Sequence, residues 1–215
     1  MSTRVDYKGF ACRPGTLDKY IVDELRGYKA IPLRPADSVL DIGGCIGTFA
    51  RLALEAGCAK VVTVEPMPDN FALLKVNAKE ATAINAAVVL GDEKVVSFYV
   101  NRGINKGMHS TVPTRGRDII EVPAVKYKDL LLKHKPTVIK MDCEGAEFEL
   151  LQEPFPAGVR ALFLEIHLQK KQHRAGALEL HNKILEQGFK AVKEPKLGNK
   201  AWATLACYER DASLL

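Results

Sequence analysis

The chain has 215 residues, 47% of them hydrophobic, enough to bury a full core, with no repeat or low-complexity tract to divide it. Its net charge of +5 is too small to demand a polyanionic partner, and its five scattered cysteines, without a C-x-x-C or paired spacing, give no sign of a zinc site or a disulfide framework. No apolar run reaches the ~20 residues of a membrane span, and the first eight residues lack the apolar core of a signal peptide, so a cytoplasmic location without membrane attachment is expected.

In chain order, residues 1–36 carry a helical pattern, Leu17, Ile21, Val22 and Leu25, ended by Pro32 and Pro35; they are expected to cap the main domain at 37–215. The apolar run Ser38-Val39-Leu40 then feeds the glycine-rich stretch Asp41-Ile42-Gly43-Gly44-Cys45-Ile46-Gly47. An amphipathic helix leaves it, with Phe49, Leu52, Ala53 and Ala56 on one face and Gly57 as its stop. A second strand, 60–64, ends at Glu65, and a second helix is predicted over 69–80. Short strands follow at 83–89, 95–100, 119–125, 137–141, 161–167, 189–192 and 201–208, with helices predicted over 146–152 and 177–187. Strands of buried type alternating with helices imply an α/β, Rossmann-like fold whose mostly parallel sheet is covered on both faces. Ligands in such a sheet sit beyond the carboxyl ends of the strands, where Asp41, Glu65, Asp142 and His167 fall.

The loop at 41–47 has the context of a cofactor loop, because glycines at a strand-to-helix turn let a ligand approach bare backbone. Asp41, just before the first glycine, would repel a pyrophosphate and attract a cation. S-adenosylmethionine carries a sulfonium and an ammonium and fits that sign. Glu65 follows at about the ~20-residue spacing at which an acid meets ribose hydroxyls. Together they read as a methyl-donor site, with Asp41, Gly43, Gly44, Cys45, Gly47 and Glu65 as cofactor residues.

A second dense feature is the strand at 137–141 running into Asp142-Cys143-Glu144-Gly145-Ala146-Glu147. With the 41–47 loop, Glu65-Pro66, Asn70-Phe71, Leu74, Asn85-Ala86-Ala87-Val88 and Leu164-Glu165-Ile166-His167 in order, it gives the span from Val39 to His167 a pattern that resembles FkbM-type S-adenosylmethionine-dependent methyltransferases. The resemblance implies a seven-stranded class I methyltransferase sheet with an antiparallel final hairpin and O-methylation as the commonest chemistry. It extends the cofactor site to Pro66, Met67, Asn85, Ala86 and Asp142. Two departures stand out: Cys45, where the family usually has Asn or Gly, and Lys126-Tyr127-Lys128-Asp129, where a Leu-Asp-Asp-like stretch is usual.

Methyl transfer from a sulfonium is a displacement that the protein serves by alignment, and a hydroxyl acceptor must also lose a proton. Asp142, His167 and Glu144 are the expected catalytic residues, His167 as a base set against a simple strand-end role. Asp142, Glu144, Glu165 and His167 are chemically able to hold a divalent ion, but no ligand spacing demands one and none is expected. Among the other histidines, His181 is expected in the core, His134 and His173 in solvated linkers, and His109 in a loop that can face substrate. Basic loops at 101–117 (Arg102, Lys106, Arg115, Arg117) and 169–174 (Lys170, Lys171, Arg174) flank the crevice. The partner expected is a small-molecule acceptor such as a sugar, with or without phosphate. The alternative is DNA or RNA on the basic loops, against which stands the absence of any Pro-Pro or Pro-Cys step. A second alternative is a non-catalytic cofactor-binding partner subunit.

Overall fold

The computed structural model describes residues 4–113, 115–168, 171–197 and 202–210. Its centre is a seven-stranded sheet built from β3 (Ser38–Ile42), β4 (Lys60–Val64), β5 (Thr82–Ile84), β9 (Val138–Met141), β10 (Ala161–His167), β11 (Phe189–Lys193) and β12 (Ala203–Arg210), in the order β11-β12-β10-β9-β3-β4-β5. Only β12 runs against its neighbours, so the sheet is mixed rather than wholly parallel. Its central strands bury alternate residues on opposite faces, as the period of two requires. Leu40, Ile42, Val62, Val64, Ile139 and Met141 enter one core with α4 (Tyr127–His134) and α6 (Lys171–Glu186). Val39, Val61, Val138 and Phe163 enter the other with α2 (Thr48–Glu55) and Tyr28.

Three local features differ from the sequence expectation. Within 1–36 the helix α1 (Asp18–Glu24) is preceded by a hairpin of β1 (Val5–Tyr7) and β2 (Phe10–Cys12), strands too short to show a period. The single strand expected at 83–89 is two, because the chain turns at Asn85-Ala86, where Asn85 Nδ2 donates to the carbonyls of Glu65 and Pro66. After that turn β6 (Ala87–Val89) joins a separate three-stranded sheet with β7 (Val95–Val100) and β8 (Asp118–Lys126). His134, expected in solvent, is buried in the last turn of α4.

Helix α3 (Pro68–Asn77) opens on a proline, whose missing N–H costs nothing at a first helical position. The helix expected over 146–152 is the short α5 (Glu147–Leu150), and α6 starts six residues before the expected 177. Among the described residues no helix is long and apolar enough to cross a membrane.

Candidate active site

The carboxyl ends of β3, β4, β9 and β10 open into one cavity of about 570 Å3. Its far walls come from elsewhere in the chain: Leu17, Tyr20 and Ile21 of the α1 segment, and an arch of residues 101–110 between β7 and β8. Backbone bonds between Tyr99 and Ser110 close the base of the arch. Three further bonds pin it over the cavity: Leu17 N–H to the Ile104 carbonyl (3.0 Å), Asn70 Nδ2 to the Lys106 carbonyl (2.9 Å) and Ser110 Oγ to the Glu144 carbonyl (2.8 Å).

On one side lies the glycine loop. Gly43 has φ +76°, and both it and Gly44 donate their N–H to the Val64 carbonyl at 3.0 Å. A Cβ on Gly43 would overlap the carbonyl oxygen of Asp142, and one on Gly44 would overlap Thr63 Oγ1. Bare backbone is therefore the only chain that fits between the tips of β4 and β9. Glu65 turns back over the loop, its carboxylate accepting the N–H of Cys45 at 2.9 Å and that of Met67 at 2.8 Å. Burial pushes this carboxyl up to about 7 in spite of those donors.

Asp41 lies behind the cavity wall, fully buried. Its carboxylate accepts from Thr63 Oγ1 at 2.9 Å and stands 3.3 Å from Lys140 Nζ, which itself donates to the Gly43 carbonyl at 2.6 Å. Register explains the pairing, since Asp41 and Lys140 are opposite each other on the parallel strands β3 and β9. Burial opposes the charge on Lys140, yet Asp41 and Asp142 hold its pKa above the ordinary lysine range.

On the other side of the cavity the acids gather. Leu164 pairs with Met141, so Glu165 and Asp142 are the next residues along neighbouring strands, and Glu165 and His167, two apart, share a face of β10. His167 is 2% exposed. Buried Glu147 accepts both its backbone N–H, at 2.8 Å, and a contact from Nδ1, at 3.1 Å. That turns Nε2 toward Glu144 at 3.4 Å and Asp142 at 3.9 Å. Burial opposes charge on the ring, but Glu144 and Glu147 outweigh it and push the pKa up to about 12, so with nothing bound His167 is an imidazolium that holds its proton. Asp142 alongside, together with burial, pushes Glu165 up to about 8.

Of the residues expected at the site, Asp142, His167, Glu144, Gly43, Cys45, Glu65, Pro66 and Ala86 line the cavity. Asp41, Gly44, Gly47, Met67 and Asn85 are absent from its wall and act behind it. Not foreseen were the wall residues from α1 or the part played by Lys140, whereas the 101–117 loop was expected beside the crevice with His109 able to face substrate. His109 lines the cavity, its Nδ1 accepting the Asn101 N–H at 3.0 Å, and burial with Arg117 and Lys106 nearby pushes its pKa down to about 4. In the basic loop, Arg102 pairs with Asp118, Arg117 donates to the Met108 carbonyl and Arg115 is exposed. Gln169 and Lys170 of the second loop, and Thr114 of the first, lie outside the described residues, while His173 stacks on Phe148.

The family model of the methyltransferase FkbM domain matches residues 41–191. Among solved structures, the Pyrococcus horikoshii protein PH0793 is 16% identical with a TM-score of 0.52, the match covering 96% of this chain and 71% of that one. P. horikoshii TYW2, solved in complex with MeSAdo, is 14% identical with a TM-score of 0.47, covering 96% and 69%. The ribosomal protein L11 methylase of Lactobacillus delbrueckii subsp. bulgaricus is 14% identical with a TM-score of 0.45, covering 92% and 81%. No curated protein matches the chain. The class defined by fold and family is that of S-adenosylmethionine-dependent methyltransferases with an α/β fold. Within it, the chain belongs to the FkbM methyltransferase domain family.

Proposed function

We propose that the enzyme methylates a hydroxyl oxygen of a small, uncharged, polyhydroxylated acceptor of the sugar class. The charge of the cavity wall carries this reading. Glu24, Glu65, Asp142, Glu144 and Glu165 line it, and the buried lysine beside them is already engaged by Asp41, Asp142 and the Gly43 carbonyl. A phosphorylated acceptor would meet repulsion there, and so would a nucleic-acid backbone. The basic loop at 101–117 offers less than its sequence promised, since Arg102 and Arg117 are bonded to their own hairpin.

The residues present fit the methyl donor of the family. Gly43 and Cys45 of the glycine loop line the cavity, Glu65 is an acid at the tip of β4 placed to take ribose hydroxyls, and Pro66 and Ala86 wall the adjoining space. Bound S-adenosylmethionine supplies a methyl group already activated by its sulfonium. What remains for the chain is to hold the acceptor oxygen in line, exclude water beneath the arch and α1, and remove the hydroxyl proton, for which the carboxylates of Asp142 and Glu144 stand at the acceptor end. Asp41 and Lys140 hold the loop from behind, and Asn85 fixes the chain after Glu65.

The test is a transfer assay with methyl-tritiated S-adenosylmethionine against a mixture of free sugars, nucleoside-sugars and total RNA. Label in small diffusible products is expected. Label confined to acid-precipitable RNA would replace this reading with the nucleic-acid one.

A further inference from the structure

We propose that Asp142, Glu165 and His167 hold a divalent metal ion of the Mg2+ or Mn2+ type at the acceptor end of the cavity. The metal-binding part of this inference stands on the geometry alone; the use of the ion, to bind the acceptor hydroxyl and ease its deprotonation, rests on the function proposed above.

One ligand atom from each of the three residues lies within 4.8 Å of the other two, and the approach of His167 Nε2 to Asp142 is 3.9 Å. Metal–ligand bonds of about 2.1–2.2 Å place donors between about 3 and 4.4 Å apart, so modest side-chain rotation closes the set. Two carboxylates and one imidazole suit a hard or borderline divalent ion, and three protein ligands leave positions open for an incoming hydroxyl.

Two further observations point the same way. The first is the orientation of His167. Its Nδ1 side is fixed by a wholly buried carboxylate, Glu147, which also takes the backbone N–H of the same residue, and the opposite nitrogen is thereby presented to the cavity. A carboxylate behind a ligating histidine is the usual outer support of a metal site. A cation would take the place of the Nε2 proton now shared with Glu144, the proton leaving to solvent. The second is His109, 6% exposed and lining the same cavity. Its Nδ1 accepts from the backbone, so Nε2 carries the hydrogen, and that buried atom has no partner. That unpaired donor lies on the arch that Ser110 ties to Glu144.

Electron paramagnetic resonance with Mn2+, in the absence of acceptor, tests the site. The parent protein is expected to bind one Mn2+ with nitrogen modulation from a histidine, and Glu165→Gln to weaken binding at least about tenfold. S-adenosylhomocysteine calorimetry on the same samples reports whether the variant is folded. Absence of bound Mn2+ at about 1 mM, bound Mn2+ without nitrogen modulation, or unchanged affinity in a folded Glu165→Gln would each overturn the proposal. The nitrogen signal of the parent decides alone if that variant does not fold. Methylation of a sugar by protein that binds no Mn2+ would remove the metal and keep the function; nitrogen-coupled Mn2+ in a protein that methylates only RNA would do the reverse.

Discussion

Glu65 is a carboxylate held in a place that favours its neutral form. Burial pushes it up to about 7 from an ordinary value of 4.5, against two backbone donors and the nearby charge of Lys140. A raised pKa contributes stability that is complete below 4.5 and is lost as pH rises through about 7. Accepting ribose hydroxyls needs the ionised form, so cofactor binding recovers what the empty fold loses. Affinity for S-adenosylhomocysteine is therefore expected to rise between about pH 6 and 8, by up to about tenfold per unit below 7, and to be nearly flat over that range in Glu65→Gln. Calorimetry across that range decides it, and a parent profile as flat as the variant's would remove Glu65 from the site. The sequence pointed to this acid by its spacing, and to Asp41 by its place before the glycines. It concealed that Asp41 would face away, because its partner Lys140 comes 99 positions later and only strand register brings the two together. Cys45 is similar. The residues usual there in the resembled family, Asn and Gly, are the ones that tolerate positive φ, and Cys45 sits at φ 48°.

At the scale of elements, the arch between β7 and β8 forms one wall of the cavity. Each of its three ties to α1, α3 and the acid loop is a single hydrogen bond, worth about 1 kcal/mol or a factor of about five in an opening equilibrium. Asn70→Ala removes the tie at Lys106. Trypsin cleavage at Arg102 and Lys106, under conditions where opening precedes cutting, should accelerate by about that factor. An unchanged rate would mean that the remaining ties hold the arch by themselves. The strands beneath were legible because apolar runs such as Ser38-Val39-Leu40 and 161–167 admit little else, and α2 was legible from its stripe. The walls were not. Leu17, Tyr20 and Ile21 look like any amphipathic face, and nothing in the polar run from 101 to 110 records that His109 will be buried.

For the molecule as a whole, cavity and sheet are one structure. The cofactor loop is wedged between the tips of β4 and β9, and ligand binding there should be felt as global stability. S-adenosylhomocysteine at 100 times its Kd adds about 2.7 kcal/mol, which for a chain of this size raises Tm by roughly 5–10 °C. Differential scanning fluorimetry reads the shift directly, and its absence at saturating ligand would contradict a cofactor site at these strand ends.

The small sheet of β6, β7 and β8 carries the arch without contributing a strand to the main one. Sequence change in that hairpin can accordingly remodel the acceptor's ceiling while the methyl-donor floor stays intact. On the function proposed above, the 95–126 segment would act as a selectivity cassette: exchanged between relatives as a unit, it should move acceptor preference with it and leave the affinity for the donor where it was.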